Sequence, residues 1–163
     1  MTLRSTIQLS TSSPSDRVVL CIELPSPAHL LLWGIRRLIA DRLQDRQVAL
    51  TFDTLLGEQA RRVLILLRTW LAEIALQSQR RIRIGTPCCH RVDDHELRLL
   101  AALERAQRGD NARCQLILQA LTGVMTTDML AEIACQLGEA LLSAQVRLDV
   151  ASLMPAEALP RLH

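Results

Sequence analysis

The chain is poor in aromatic residues, which make up only 2% of its 163 residues. It contains Trp33, Trp70 and Phe52, and it has no tyrosine. The core must therefore be built from leucine, isoleucine, valine and alanine. Leucine and alanine favour helices, whereas strands prefer β-branched and aromatic residues. The same scarcity disfavours nucleic-acid binding by base stacking, because stacking depends on aromatic side chains.

Lysine is absent, and all 19 basic residues are arginine. This absence excludes Schiff-base catalysis and phosphate loops of the Walker type, because both need a lysine amine. The 17 acidic residues leave a net charge of only +2. A dedicated nucleic-acid binder usually has a strong basic excess, so the charge balance also argues against nucleic-acid partners. The exclusive use of arginine is typical of a GC-rich, bacterial genome.

Long uninterrupted apolar runs are also missing. The most apolar stretch, residues 63–76, contains Arg68 and Glu73 and is shorter than the roughly 20 residues that span a bilayer. Residues 1–15 are polar and lack the apolar segment of a secretory leader. Five cysteines are an odd number, so they cannot all pair within one chain. Without an export signal, they predict reduced thiols and a location in the cytoplasm.

Familiar catalytic motifs are absent from the sequence. It has no glycine-rich phosphate loop, no G-x-S-x-G elbow and no H-E-x-x-H pair. We therefore predict no catalytic residue and lean against an enzyme. Hydrophobic residues make up 49% of the chain, which favours a non-catalytic interaction or adaptor protein. Such a protein could bury an apolar helix face in a homodimer or against another protein partner, without contacting a membrane.

Helical periodicity dominates the pattern of apolar residues. It predicts an all-α or mainly α fold, a single compact bundle of five to six helices around the apolar helix at 63–76. "RIRI" adds a short β segment near 81–84. The predicted domain covers 17–142, between a flexible segment at 1–16 and an extended or mobile tail at 143–163. We expect helices over 27–43, 46–56, 58–79, 94–107, 111–121 and 126–142.

The stretch "GTPCCHRVDDHE" concentrates the chemically interesting residues. Its acids have a structural interpretation, because Asp93 and Glu96 are spaced as a capping box at the start of the fourth helix. Asp94, in the first turn, also interacts favourably with the helix dipole. The sequence therefore predicts that these acids cap a helix.

The adjacent cysteines of this stretch, Cys88 and Cys89, support a second hypothesis, a thiol-based redox or electrophile sensor. A disulfide between neighbouring residues must join Cα atoms about 3.8 Å apart, so it is strained and easily reduced. Nearby arginines and the helix start would lower the pKa of a thiol. Alternatively, one cysteine packs into the core as a small apolar residue. The arginines concerned are Arg80, Arg81, Arg83 and Arg91.

Two ligand sites remain open alternatives, although we predict no cofactor. A small zinc-binding protein would use Cys88, Cys89, His90 and His95, completed by Cys114 or Cys135, although the usual ligand spacing is absent. Cys114 and Cys135 lie in apolar helical stripes and have a core interpretation as well. The four arginines beside a helix start could bind an anion, or they form a solvated basic rim.

Three segments resemble a family of small uncharacterised helical proteins from alphaproteobacteria, a domain of unknown function. The segments are "LLLWGIRRLIADRL", "RRVLILLRTWLAEIA" and "PCCHR" followed by "ELRLL". The resemblance covers roughly residues 24–142, and its most specific part is the Pro-Cys-Cys-x-Arg turn before Glu96. The family pattern has an acid just before this glutamate, where this chain has His95. The resemblance implies a compact helical domain and adds no catalytic residue.

Overall fold

The computed structural model describes residues 7–10 and 18–154. Helices dominate this part of the chain and pack into one bundle, which confirms the predicted mainly α fold. Across these residues, no helix is both long and apolar enough to cross a membrane. The described residues form six α-helices: α1 (Ser26–Ala40), α2 (Arg46–Leu56), α3 (Ala60–Gln77), α4 (Asp94–Gln107), α5 (Asn111–Thr122) and α6 (Asp128–Ser143).

Local capping explains where several helices begin and end. The carboxylate of Asp45 accepts hydrogen bonds from the N–H groups of Gln47 and Val48, so α2 begins at the predicted residue. Pro27 lies in the first turn of α1, where a missing N–H costs nothing. Gly123 ends α5 in the left-handed conformation with φ of 76°. These signals lie within a few residues of the ends that they determine.

Two helices, α3 and α4, are the most deeply enclosed in the core. α3, the predicted central helix, packs against α1, α2 and α6, and its Trp70 indole donates a 3.0 Å hydrogen bond to the Leu130 carbonyl. α4 is enclosed at least as deeply, because nine of its fourteen residues are buried. One side of α3 is left uncovered: Ile65 is 51% exposed and Leu76 is 66% exposed. The bundle therefore leaves some of the apolar side chains of α3 exposed to solvent.

Two small sheets lie beside the helices. In one, β1 (Ile7–Ser10) pairs in parallel with β3 (Ile82–Gly85), the strand predicted near 81–84. In the other, β2 (Val19–Leu20) pairs antiparallel with β4 (Arg91–Val92). β1 lies within the segment predicted to be flexible, 1–16, and its backbone pairs there with a strand far along the chain. Residues 1–6 and 11–16 of that predicted segment lie outside the described residues.

The segment that follows α6 is bound to α4 by two side chains. The Gln107 amide donates to the Val146 carbonyl and accepts from the Leu148 N–H, both at 2.9 Å. Glu104, completely buried, accepts from the N–H groups of Val150 and Ala151 at 2.7 and 2.9 Å. The apolar side chains between these bonds are buried, so the domain extends to Met154 rather than ending at residue 142. Of the predicted tail, residues 155–163 lie outside the described residues.

Replacement of Glu104 by alanine should release this segment. The substitution leaves the buried N–H of Val150 and the partly buried N–H of Ala151 without an acceptor, so we expect a loss of about 2–3 kcal/mol in the free energy of unfolding. Urea denaturation measures that loss, and faster amide exchange at Val150 and Ala151 should accompany it. Glu132→Ala on α6 is the matched control, because the Glu132 side chain binds only the exposed Gln136 amide. Equal stability of the two variants would contradict the proposed anchoring.

Candidate functional site

A buried ion pair contacts the segment 86–90 between β3 and β4, which contains Cys88 and Cys89 and which we call the cysteine turn. Arg36 of α1 is 2% exposed and Glu96 of α4 is fully buried. The two groups meet through parallel hydrogen bonds, from Arg36 Nε to Glu96 Oε1 at 2.7 Å and from Nη2 to Oε2 at 2.8 Å. Such bidentate, charge-assisted pairs are among the strongest polar contacts in proteins. They join the middle of one helix to the first turn of another.

The remaining N–H groups of Arg36 bind the cysteine turn. Nη1 donates to the Cys89 carbonyl at 2.6 Å and lies 3.4 Å from the Cys21 sulfur, and Nη2 donates to the Arg91 carbonyl at 2.6 Å. All five N–H donors of the guanidinium therefore have an acceptor. Burial alone would lower the pKa of Arg36, but the hydrogen bond and charge of Glu96 raise it above its ordinary value. The arginine is a permanent cation that orders the turn.

Glu96 is equally saturated with hydrogen bonds. Besides the two bonds from Arg36, Oε1 accepts from the Gly85 N–H and Oε2 accepts from the Asp93 N–H, both at 2.8 Å. A carboxylate has about four acceptor positions, and here all of them are filled. A buried charge is tolerated only when it is paired and hydrogen-bonded in this way. Glu96 thus connects α1, α4 and β3 at one point.

Asp93 and Glu96 form a capping box at the start of α4, the geometry that their spacing predicts. The Asp93 carboxylate accepts from the His95 N–H at 2.9 Å, and its other oxygen lies 3.1 Å from Arg83 Nε. The glutamate has a second task that the capping motif alone does not reveal, because the same carboxylate binds Arg36. A helix cap and a buried ion pair share one side chain.

The first turn of α4 also replaces a neighbouring strand along one edge of β3. His95 Nδ1 accepts a 2.8 Å hydrogen bond from the Arg83 N–H, and Glu96 accepts the next available N–H, that of Gly85. Since Nδ1 must carry a lone pair to accept, His95 is neutral here. Burial accordingly lowers its pKa below the ordinary 6.5. His95 therefore acts as an acceptor for the sheet.

The cysteines of the turn differ in their surroundings. Cys88 is exposed, whereas Cys89 is partly buried with its sulfur 3.5 Å from the Arg91 carbonyl. Cys21, in the short 3₁₀-helix after β2, donates its thiol hydrogen to the Cys89 carbonyl at 3.4 Å. Burial raises the pKa of Cys21, although Arg36 opposes the shift. The structure thus brings a third cysteine to the pair that the sequence singled out.

The predicted zinc ligands are not gathered around a common point. Within the described ranges, no three histidine, cysteine or acidic side chains are placed to hold a metal ion. His95 Nδ1 already accepts the Arg83 N–H. Cys114 is buried on α5, where burial raises the pKa of its thiol to about 12. Cys135 lies on α6, with its sulfur 3.9 Å from the Asn111 amide oxygen.

The four arginines predicted as an anion site have separate roles. The Arg80 guanidinium donates to the Ala120 carbonyl at 2.9 Å, at the end of α5. The Arg83 guanidinium pairs with Asp93. Arg81 and the Arg91 side chain are exposed. Two of the four charges are therefore already engaged by the protein itself, as in a basic rim.

Sequence reasoning missed Arg36 and Cys21. Arg36 lies four residues after Leu32 and three before Ile39, both buried, so it occupies the apolar stripe of α1. A charged residue on such a stripe indicates a buried ion pair, although the stripe does not identify the partner. Cys21 follows a short apolar run and has no comparable local signal. Its position beside Cys89 depends on the pairing of β2 with β4.

No family model, curated protein or solved structure matches this chain. The resemblance to a helical family with a Pro-Cys-Cys-x-Arg turn therefore stays a prediction. The interpretation of the site depends on its own geometry.

The Arg36–Glu96 pair should dominate the stability of this region. Arg36→Met or Glu96→Gln leaves a buried partner without its counter-charge, and we expect each to cost about 3–5 kcal/mol of unfolding free energy. The double variant Arg36→Met/Glu96→Met should cost less than the sum of Arg36→Met and Glu96→Met, because no charge is left unpaired. Urea denaturation of the wild type, Arg36→Met, Glu96→Met and the double variant measures the coupling. Additive losses would show that the pair is not a unit.

His95 should make stability depend on pH. Because folding lowers its pKa, the unfolded chain binds more protons than the folded one in the window just below 6.5. Stability is then fully present above pH 6.5 and falls as the pH drops through that window. The groups around the ring are Asp93, Asp94, Arg83 and Arg98, of which the arginines oppose protonation. Chemical denaturation between pH 5 and 8, at about half-unit steps, tests this.

The matched variant is His95→Asn, whose side-chain oxygen can replace Nδ1 as the acceptor but does not titrate. We expect it to remove the part of the pH dependence that His95 contributes. An unchanged pH profile in this variant would assign the slope to other groups.

Proposed function

We propose that this chain is a non-catalytic interaction protein that associates with a second copy of itself through the uncovered side of α3. The supporting observation is the exposure of Ile65 and Leu76 on a helix whose opposite side forms the core. Exposed apolar side chains that share one helix face are typical of an interface, whereas single ones are ordinary.

The residues on this face have the spacing of a helix–helix interface. Arg62, Ile65, Thr69, Ala72 and Leu76 alternate steps of three and four residues, the pattern that keeps one stripe towards a partner helix. Ile65, Thr69 and Leu76 are exposed, and Ala72 is partly buried. The small side chains at 69 and 72 permit a close approach of two helices. We call these five positions the α3 face.

Charge favours a second copy as the occupant. Arg68 and Glu73 flank the α3 face five residues apart, on opposite sides of the stripe. In a parallel, in-register pair of α3 helices, such positions meet across the interface, so Arg68 lies beside the partner's Glu73. By two-fold symmetry this contact occurs twice.

The Arg36–Glu96 site supports a structural rather than a catalytic role. Its donors and acceptors are filled by the protein's own backbone and side chains. A catalytic group needs free capacity towards a substrate, and this pair has none left. We also propose that the protein acts in the cytoplasm, where reduced thiols are the default, because its five cysteines are unpaired.

Sedimentation velocity over a range of concentrations tests the self-association. We expect the wild type to dimerise and Ile65→Glu to be monomeric, because the substitution places two like charges opposite each other in a desolvated contact. Ile22→Glu is the matched control, since Ile22 is exposed but lies near the cysteine turn. Arg68→Glu should weaken the dimer, and adding Glu73→Arg should restore it by exchanging the two charges.

Two results would overturn the proposal. A wild type that stays monomeric up to its highest soluble concentration would exclude a second copy as the occupant. A dimer that survives Ile65→Glu and Arg68→Glu unchanged would move the interface away from the α3 face.

A further inference from the structure

Three cysteines meet at one end of the bundle. Cys21 follows β2, and Cys88 and Cys89 precede β4, its antiparallel partner. The pairing continues past the strands, because the Cys21 N–H donates to the His90 carbonyl at 2.8 Å. The Cys21 sulfur lies 3.4 Å from the Cys89 carbonyl oxygen. Cys21 and Cys89 are therefore neighbours in space, although they are 68 positions apart in the chain.

We propose that Cys21 and Cys89 form a reversible disulfide when the protein meets hydrogen peroxide, and that this bond locks β2 onto the cysteine turn. This inference does not depend on self-association through the α3 face. It replaces the adjacent pair Cys88–Cys89, on which the sequence focused, by a pair that only the fold brings together.

Backbone geometry favours the long-range pair over the adjacent one. Disulfides usually join Cα atoms roughly 4.4–6.8 Å apart, and adjacent residues are held at about 3.8 Å. The backbone bond pairs Cys21 with His90, and Cys89 is the residue just before His90, with its carbonyl oxygen 3.4 Å from the Cys21 sulfur. Cys88 is exposed at the turn. Cys89 and Cys21 are both partly buried, and Cys89 contacts β4.

The chemistry requires one peroxide for each disulfide. The Cys89 sulfur attacks one peroxide oxygen, the O–O bond breaks, and the departing hydroxide takes the Cys89 proton and leaves as water. The Cys21 sulfur then attacks the sulfur of this sulfenic acid, the S–O bond breaks, and the second hydroxide takes the Cys21 proton. Two thiols lose two electrons in total, and the peroxide gains them as it forms two waters.

Oxidation leaves the buried ion pair in place. Cys21 is the weakest of the Arg36 contacts, at 3.4 Å to sulfur, whereas Glu96 and two carbonyls bind the guanidinium at 2.6–2.8 Å. The disulfide therefore forms beside groups that the Arg36–Glu96 pair already holds in place. β2 and β4 have only two residues each, and such short pairings are marginal without further support. The covalent bond supplies that support.

Mass spectrometry of the full chain tests the proposal. Reduced protein, freed of reductant, is treated with one equivalent of hydrogen peroxide and digested with trypsin without reduction. We expect the peptide 18–36 to be linked to the peptide 84–91, a loss of two thiols per chain, and reversal by dithiothreitol. The melting temperature should rise by about 5–10 °C, because the bond constrains a long loop in the unfolded chain.

Single substitutions identify the sulfur atoms. Cys88→Ser should keep the linked peptides, and Cys21→Ser and Cys89→Ser should each abolish them. A link between Cys88 and Cys89 within peptide 84–91, a linked dimer of two chains, or sulfinic acid without any link would each overturn the proposal. If a serine variant fails to fold, fragmentation of the linked wild-type peptides between residues 88 and 89 shows which of these two cysteines carries the link to Cys21.

Discussion

The bond between Arg36 and Glu96 is the constraint on which this end of the molecule depends. Each charge is buried, so each must be neutralised, and the two groups neutralise one another. The remaining N–H groups of Arg36 donate to the carbonyls of Cys89 and Arg91. The Glu96 carboxylate also accepts from the N–H groups of Gly85 and Asp93. One ion pair thereby sets the positions of α1, β3, β4 and α4. Displacing any of these elements would leave a buried charge or a buried backbone group unpaired.

Features encoded by neighbouring residues were predictable from the sequence. The bounds of α2 and α4 follow from the caps at Asp45 and Asp93, because each carboxylate binds N–H groups within three residues. β1 was not predictable in this way. It pairs with β3, more than seventy positions along the chain, and its own run of four residues is too short to predict a strand without that partner. The packed segment before Met154 was not predicted for the same reason, because the side chains that bind it, Glu104 and Gln107, lie on α4.

In the candidate site, too, contacts between neighbouring residues were predictable, whereas contacts between distant residues were not. The spacing of Asp93 and Glu96 predicts a capping box, and the structure contains it. The spacing does not reveal that Glu96 also neutralises Arg36, because that contact crosses sixty positions. Likewise, Cys88 and Cys89 are conspicuous as neighbours, but Cys21 joins them only through strand pairing. Motif reasoning therefore found the turn but not the groups that determine its chemistry.

The two proposed activities are energetically separate even though α1 touches both regions. α1 contributes Arg36 to the cysteine turn and packs against α3, whose far side is the α3 face. A signal from Cys21 to α3 would have to pass through Arg36. The bonds of Arg36 to Glu96, Cys89 and Arg91 do not involve the Cys21 thiol, which makes only the 3.4 Å contact with Nη1. A rigid, saturated ion pair has no second arrangement to adopt, and coupling between sites requires an element with two arrangements. The ion pair thus isolates the bundle from chemistry at the turn.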